Sequence, residues 1–154
     1  MSPRTNEKAL DFFCKKMGYK KVIFESVDKA GQQIYHTNVM MAMGEKYVVI
    51  ALDSIPNQKE RKTVVEEFKK AKKKIIEISL DQMSAFAGNM LLLNTNSKKP
   101  LLVMSTQAYQ SLDSNQIELI ENYNPILHSS LNLIEQFGGG SARCMMAEVF
   151  LPKL

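Results

Sequence analysis

The sequence predicts an α/β domain built from ββαβ repeats, and three observations carry that reading. The order strand, strand, helix, strand occurs between residues 38 and 78 and again between residues 89 and 128. Each copy opens with a small polar side chain just before an apolar strand, in Thr37-Asn38-Val39-Met40-Met41 and Gly88-Asn89-Met90-Leu91-Leu92. A third start of the same kind, with a thiol in the polar place, is Arg143-Cys144-Met145-Met146-Ala147. The offsets are 51 residues (38 to 89) and 55 residues (89 to 144), and self-similarity at a near-fixed period marks a repeat architecture.

The chain's 154 residues suit one domain. A hydrophobic fraction of 45% with 23% charged residues excludes a disordered, collagen-like or fibrous chain. Asn6 to Met17 predicts a helix whose apolar face carries Leu10, Phe13, Cys14 and Met17, so Cys14 reads as a buried core thiol. Gly18 stops that helix, Tyr19 to Phe24 predicts a strand, and a polar turn follows at Asp28-Lys29-Ala30-Gly31. The first repeat comprises strands over Asn38 to Met43 and Tyr47 to Leu52 around the turn Gly44-Glu45-Lys46. Its helix starts at Pro56 with an inward stripe of Val64, Phe68, Ala71 and Ile75, and its last strand runs from Lys74 to Ile78. The second has strands over Asn89 to Leu93 and Leu101 to Ser105 about a polar turn at Asn96-Ser97-Lys98. Helix over Gln107 to Tyr123 and a short strand near Ile126 to His128 complete it. The third copy holds one strand, Met145 to Phe150.

No apolar run reaches the roughly 18–20 residues that span a bilayer, and Met1-Ser2-Pro3-Arg4 lacks the layout of a signal peptide, so a cytoplasmic protein without membrane contact is expected. Two cysteines 130 residues apart (14 to 144) and two histidines form no metal-ligand cluster and no disulfide framework. The net charge of +4 raises the question of nucleic acid, but the lysines and arginines are not gathered on one face. The densest cluster, Lys69 to Lys74, sits at a helix end where cations complement the macrodipole, and no nucleic-acid partner is expected.

If the repeats share an axis, Asn38, Asn89 and Cys144 converge at equivalent strand ends, which makes Asn38 and Asn89 candidate substrate-binding residues. Cys144 follows the run Gly138-Gly139-Gly140-Ser141-Ala142-Arg143. Glycines permit close backbone approach, and a cation beside a thiol favours the thiolate. On context alone Cys144 has two readings, a nucleophile or a core residue heading a buried strand. His36 precedes the first strand start and can reach the same centre, as a catalytic or a structural group. His128, among Leu127, Ser129 and Ser130, reads as a strand-end residue.

The segments Ile34-Tyr35-His36-Thr37-Asn38-Val39-Met40-Met41, Phe86-Ala87-Gly88-Asn89-Met90-Leu91 and Gly138-Gly139-Gly140-Ser141-Ala142-Arg143-Cys144-Met145 resemble the C-terminal half of the amidinotransferase and arginine deiminase superfamily. The likeness is nearest to its citrulline hydrolase-like branch and runs from about Ser2 to Pro152. It implies a pentein fold, an α/β-propeller of five ββαβ units about a central active site. It further implies that Cys144 attacks a guanidino or ureido carbon to form a covalent adduct. His36 would then protonate the leaving amine and later activate water or an acceptor amine. No metal or organic cofactor is implied.

Two departures shape the expectation. Five units of about 50 residues need roughly 250, so this chain is expected to be a partial pentein domain over residues 1–154. The carboxylates that usually grip the head group would come partly from an N-terminal half or a second chain. Many relatives carry Asp where this sequence has Asn38, and an amide cannot pair with a guanidinium, which favours a neutral, citrulline-like ureido substrate. The rival expectation is an inactive remnant or interaction module of the same fold, whose open strand edges would promote self-association.

Overall fold

The computed structural model describes residues 2, 4–95 and 99–149. Two three-stranded sheets form its centre, and they repeat one topology. In the first, β1 (Met41–Met43) runs antiparallel to β2 (Tyr47–Ile50), which pairs in parallel with β3 (Lys74–Glu77). In the second, β4 (Leu91–Asn94) is antiparallel to β5 (Pro100–Ser105), which is parallel to β6 (Ile126–Ser129). A parallel pair needs a helical crossover. The first sheet uses α3 (Gln58–Lys70), and the second uses α5 (Thr106–Ser111) with α6 (Ser114–Glu121). The ββαβ order expected from the sequence is therefore present twice.

The core follows from the strand pattern. All four residues of β2 are buried, as expected of a central strand covered on both faces, and they pack with Ile76, Ile78, Met90, Leu102, Met104 and Ile120 in one apolar cluster. Helix starts are set by side-chain caps. Asn57 accepts from the N–H groups of Lys59 and Glu60, so α3 begins at Gln58 and not at Pro56. The helical stretch expected over Gln107 to Tyr123 divides because Asp113 and Gln116 form a capping box that starts α6 afresh. Ser79 and Gln82 form the same box at α4 (Leu80–Ser84). The two box glutamines then meet: Gln82 Nε2 donates to Gln116 Oε1 at 2.7 Å and Gln116 Nε2 to Gln82 Oε1 at 3.1 Å, which clips one repeat to the next.

Several expectations are corrected. Tyr19 to Phe24 is not a strand, and just beyond it the Glu25 N–H turns to the Glu60 carboxylate at 2.8 Å, away from any extended pairing. Asn38 does not start a strand. Thr37–Met40 forms a single helical turn, α2, and β1 begins only at Met41. Met145 is the last residue of a 3-10 turn over Ala142–Met145, which the Cys144 N–H closes onto the Ser141 carbonyl at 3.0 Å, and residues 146–149 are irregular. Phe150 and the turn expected at Asn96-Ser97-Lys98 lie outside the described residues.

The apolar face of α1 (Glu7–Met17) buries Cys14 but leaves Phe13 and Met17 about half exposed. In the stripe of α3, Val64 is buried, whereas Ala71 is the exposed C-cap. The lysine cluster is a solvated helix end: Lys70 pairs with Glu67, and Lys73 Nζ donates to the carbonyls of Gly44 and Glu45. A further helix, α7 (Asn132–Gly138), leads into the Gly-rich segment. No helix among the described residues is long and apolar enough to cross a membrane.

Candidate active site

The two repeats approach closely where their leading segments meet, and Gly88 makes this possible. A Cβ there would stand 2.2 Å from the Val39 carbonyl oxygen, so only glycine allows the second repeat to lie against the first. The next residue, Asn89, is 3% exposed and uses both ends of its amide. Nδ2 donates to the Asn38 carbonyl at 3.0 Å and to Cys144 Sγ at 3.2 Å, while Oδ1 accepts from the Arg143 N–H at 3.1 Å. The carbonyl needs a donor and the N–H needs an acceptor, which fixes the orientation of the amide. The sulfur also lies 3.6 Å from Asn89 Oδ1 and 4.0 Å from Asn38 Nδ2. The three residues singled out by their spacing thus converge on one thiol.

Cys144 is exposed, unlike the buried Cys14. It opens into a cavity of about 420 Å³ whose lining includes His36, Asn38, Asn89 and Asp28. His36 precedes α2 as its N-cap residue, with extended backbone and a ring edge-on to Tyr35 at 4.7 Å between centroids. His128 is elsewhere, stacked on Tyr109 at 4.2 Å with Nδ1 3.0 Å from Thr106 Oγ1. Asn38 Oδ1 is buried without a hydrogen-bond partner among the described residues, which leaves an acceptor unspent beside the thiol. No group of three or more histidine, cysteine, aspartate or glutamate side chains among the described residues is arranged to hold a metal ion.

The thiol-bearing turn is shaped from its own side as well. Gly140 packs so tightly on Cys144 that an added Cβ would stand 2.9 Å from the cysteine Cβ and 3.0 Å from Sγ. Sequence reasoning missed Asp28, whose Oδ1 accepts from the N–H groups of Ala30 and Gln32. It reads as a turn residue, and nothing in its neighbours signals a cavity wall. Chemically, the arrangement offers a fixed sulfur with an amide N–H donor beside it, an imidazole on the same cavity and an unpaired amide oxygen.

Comparison with known proteins bears on the fold and the family. No curated protein sequence matches the chain. Among solved structures, the chain superimposes on the apo form of an arginine dihydrolase from the ornithine-ammonia cycle in cyanobacteria with a TM-score of 0.65 at 16% identity. That match covers 91% of this chain and 20% of the other, and it shows a shared fold. The family model for eukaryotic N,N dimethylarginine dimethylhydrolases matches residues 1–151. The chain therefore belongs to the eukaryotic N,N dimethylarginine dimethylhydrolase family, within the amidinotransferase and arginine deiminase superfamily.

Proposed function

We propose that the chain is the thiol-bearing part of a cysteine-dependent hydrolase or amidinotransferase acting on a guanidino or ureido compound. The observation that carries this reading is the Asn89 amide, which holds Cys144 Sγ at 3.2 Å on the wall of the cavity that His36 also lines. In the reaction, Sγ attacks the guanidino or ureido carbon, a carbon–sulfur bond forms, and the carbon–nitrogen bond to the leaving amine breaks. His36 gives that amine its proton. Water or an acceptor amine then attacks the adduct, His36 takes its proton, and the thiol leaves. The N–H of Asn89 stabilises negative charge on sulfur at the start and end of the cycle.

Asn38 supports a neutral, citrulline-like head group over arginine. Its unpaired Oδ1 can accept an N–H from a urea-like group, but the amide supplies no charge to offset a buried guanidinium. Leaving a buried charge without its pair costs roughly 3–5 kcal/mol. Half of that corresponds to tenfold or more in selectivity at about 1.4 kcal/mol per decade.

Further protein surface completing a pentein is part of this reading. Large apolar side chains such as Leu133 (73% exposed) and Phe137 (78% exposed) lie open, and five-unit closure would cover surfaces of this kind. The experiment is kcat/KM for citrulline and arginine, before and after Asn38→Asp, on the chain alone and supplemented with the N-terminal half of a relative. The expected result is a preference for citrulline that moves toward arginine on substitution. A preference for arginine with Asn38 intact, or an unmoved ratio, contradicts the role of Asn38. Absence of turnover with either substrate in the supplemented sample contradicts the reaction.

A further inference from the structure

We propose that Glu135 is a positioning residue whose buried carboxylate anchors Ser141 and thereby sets the turn that presents Cys144; this rests on the reading of Cys144 as the nucleophile. The α7 segment is inverted relative to an ordinary surface helix. Its large apolar residues Leu133, Ile134 and Phe137 are open, while its one carboxylate is 8% exposed. A carboxylate goes inside only when something there holds it.

Here the holder is Ser141, itself fully buried, whose Oγ donates to Glu135 Oε1 at 2.6 Å. That length falls in the range of strong O–H···O⁻ bonds. Ser141 in turn governs the cysteine, because its carbonyl accepts the Cys144 N–H at 3.0 Å and closes the 3-10 turn over Ala142–Met145. Asn89 grips the same turn from the opposite repeat through the Arg143 N–H and the sulfur. Between these two grips the turn has little freedom, and Gly140 against the thiol leaves no slack.

The second carboxylate oxygen argues that the anchor serves placement more than stability. Glu135 Oε2 is buried and has no hydrogen-bond partner among the described residues. An unpaired buried acceptor is destabilising, so a residue kept only to hold the fold together would be better replaced by an apolar one. What an apolar residue cannot do is fix the Ser141 hydroxyl.

The test is the rate of Cys144 alkylation by iodoacetamide, followed by peptide mass mapping at pH 7 and at a pH where the thiol is fully ionised. Glu135→Ala and Ser141→Ala should each slow labelling about tenfold at pH 7, the size expected when one hydrogen bond to a charged sulfur is lost. Neither should change the rate at the high pH, where the sulfur is charged in every variant. The double variant should be no slower than the slower single one, since both remove one interaction. Glu135→Gln keeps an acceptor for Ser141 and should recover to within about threefold. If Glu135→Ala fails to fold, Ser141→Ala and Glu135→Gln carry the same expectations. A Cys144 that labels as fast in Glu135→Ala or Ser141→Ala as in the parent, or slows equally at both pH values, overturns the anchor alone. A parent protein whose Cys144 labels no faster than Cys14 overturns the underlying reading of the site.

Discussion

Replacing Asn89 should separate what this residue does for the fold from what it does for the thiol. Asn89→Ala removes the donor to the Asn38 carbonyl and the acceptor of the Arg143 N–H, at 3.0 and 3.1 Å, in a pocket where the side chain is nearly inaccessible. Each lost bond is worth about 1 kcal/mol, and stranding its buried partner adds to that, for a total of about 2–4 kcal/mol. For a domain of this size that corresponds to a melting point lower by about 6–12 °C. Asn89→Asp keeps the acceptor for Arg143 but loses both donations and places negative charge beside Sγ. It should therefore slow iodoacetamide labelling of Cys144 near neutral pH by more than tenfold, and by more than alanine does. The assay pairs thermal melts with labelling rates of the parent and both variants. Stability within about 0.5 kcal/mol of the parent for Asn89→Ala, together with unaltered labelling in Asn89→Asp, would show that these contacts carry neither the fold nor the thiol.

Gly88→Ala should destabilise strongly and blunt Cys144 labelling, because a Cβ at 2.2 Å from the Val39 carbonyl forces the two repeats apart; an unchanged melting point refutes the close approach. Burial pushes the Tyr47 hydroxyl up from 10.0 to about 12. The folded state therefore keeps its proton where the unfolded chain loses it, so stability is complete below pH 10 and falls between pH 10 and 12. Tyr47→Phe should flatten that fall and, since the hydroxyl has no hydrogen-bond partner among the described residues, should not destabilise at neutral pH in urea melts. Hydrogen bonds from Lys20 and Lys70 hold Glu67 down from 4.5 to about 2. Its contribution is present above pH 4.5 and lost as pH falls toward 2, and Glu67→Gln should make an acid melt shallower in that window.

Local chemistry wrote the repeat into the sequence, and tertiary contacts decided the rest. The β2 run Tyr47–Ile50 and the two ββαβ units were legible because apolar strands, polar turns and capped helices each leave a local pattern. The spacing of Asn38, Asn89 and Cys144 located the converging residues even though Asn38 lies in a helical turn, Asn89 before β4 and Cys144 in a 3-10 turn. Position in the repeat survived where the assigned secondary structure did not. The segments Tyr19 to Phe24 and Met145 to Val149, expected as strands, show the limit, since β-forming side chains alone do not decide a strand. The Glu135–Ser141 pair left no local signature. A glutamate between isoleucine and glutamine in a short helix reads as a solvent-facing charge, and only the buried serine six residues later shows otherwise.

The most direct test of the account is the site of first alkylation in the folded chain. Limited iodoacetamide near neutral pH, followed by peptide mass mapping, compares Cys144 in its cavity with Cys14 in α1 under identical conditions. Label is expected on Cys144 well before Cys14, with the preference reduced by Asn89→Asp and Cys14 reacting only as the chain unfolds. Equal labelling of the two thiols, or first labelling of Cys14, would contradict the assignment of Cys144 as the nucleophile.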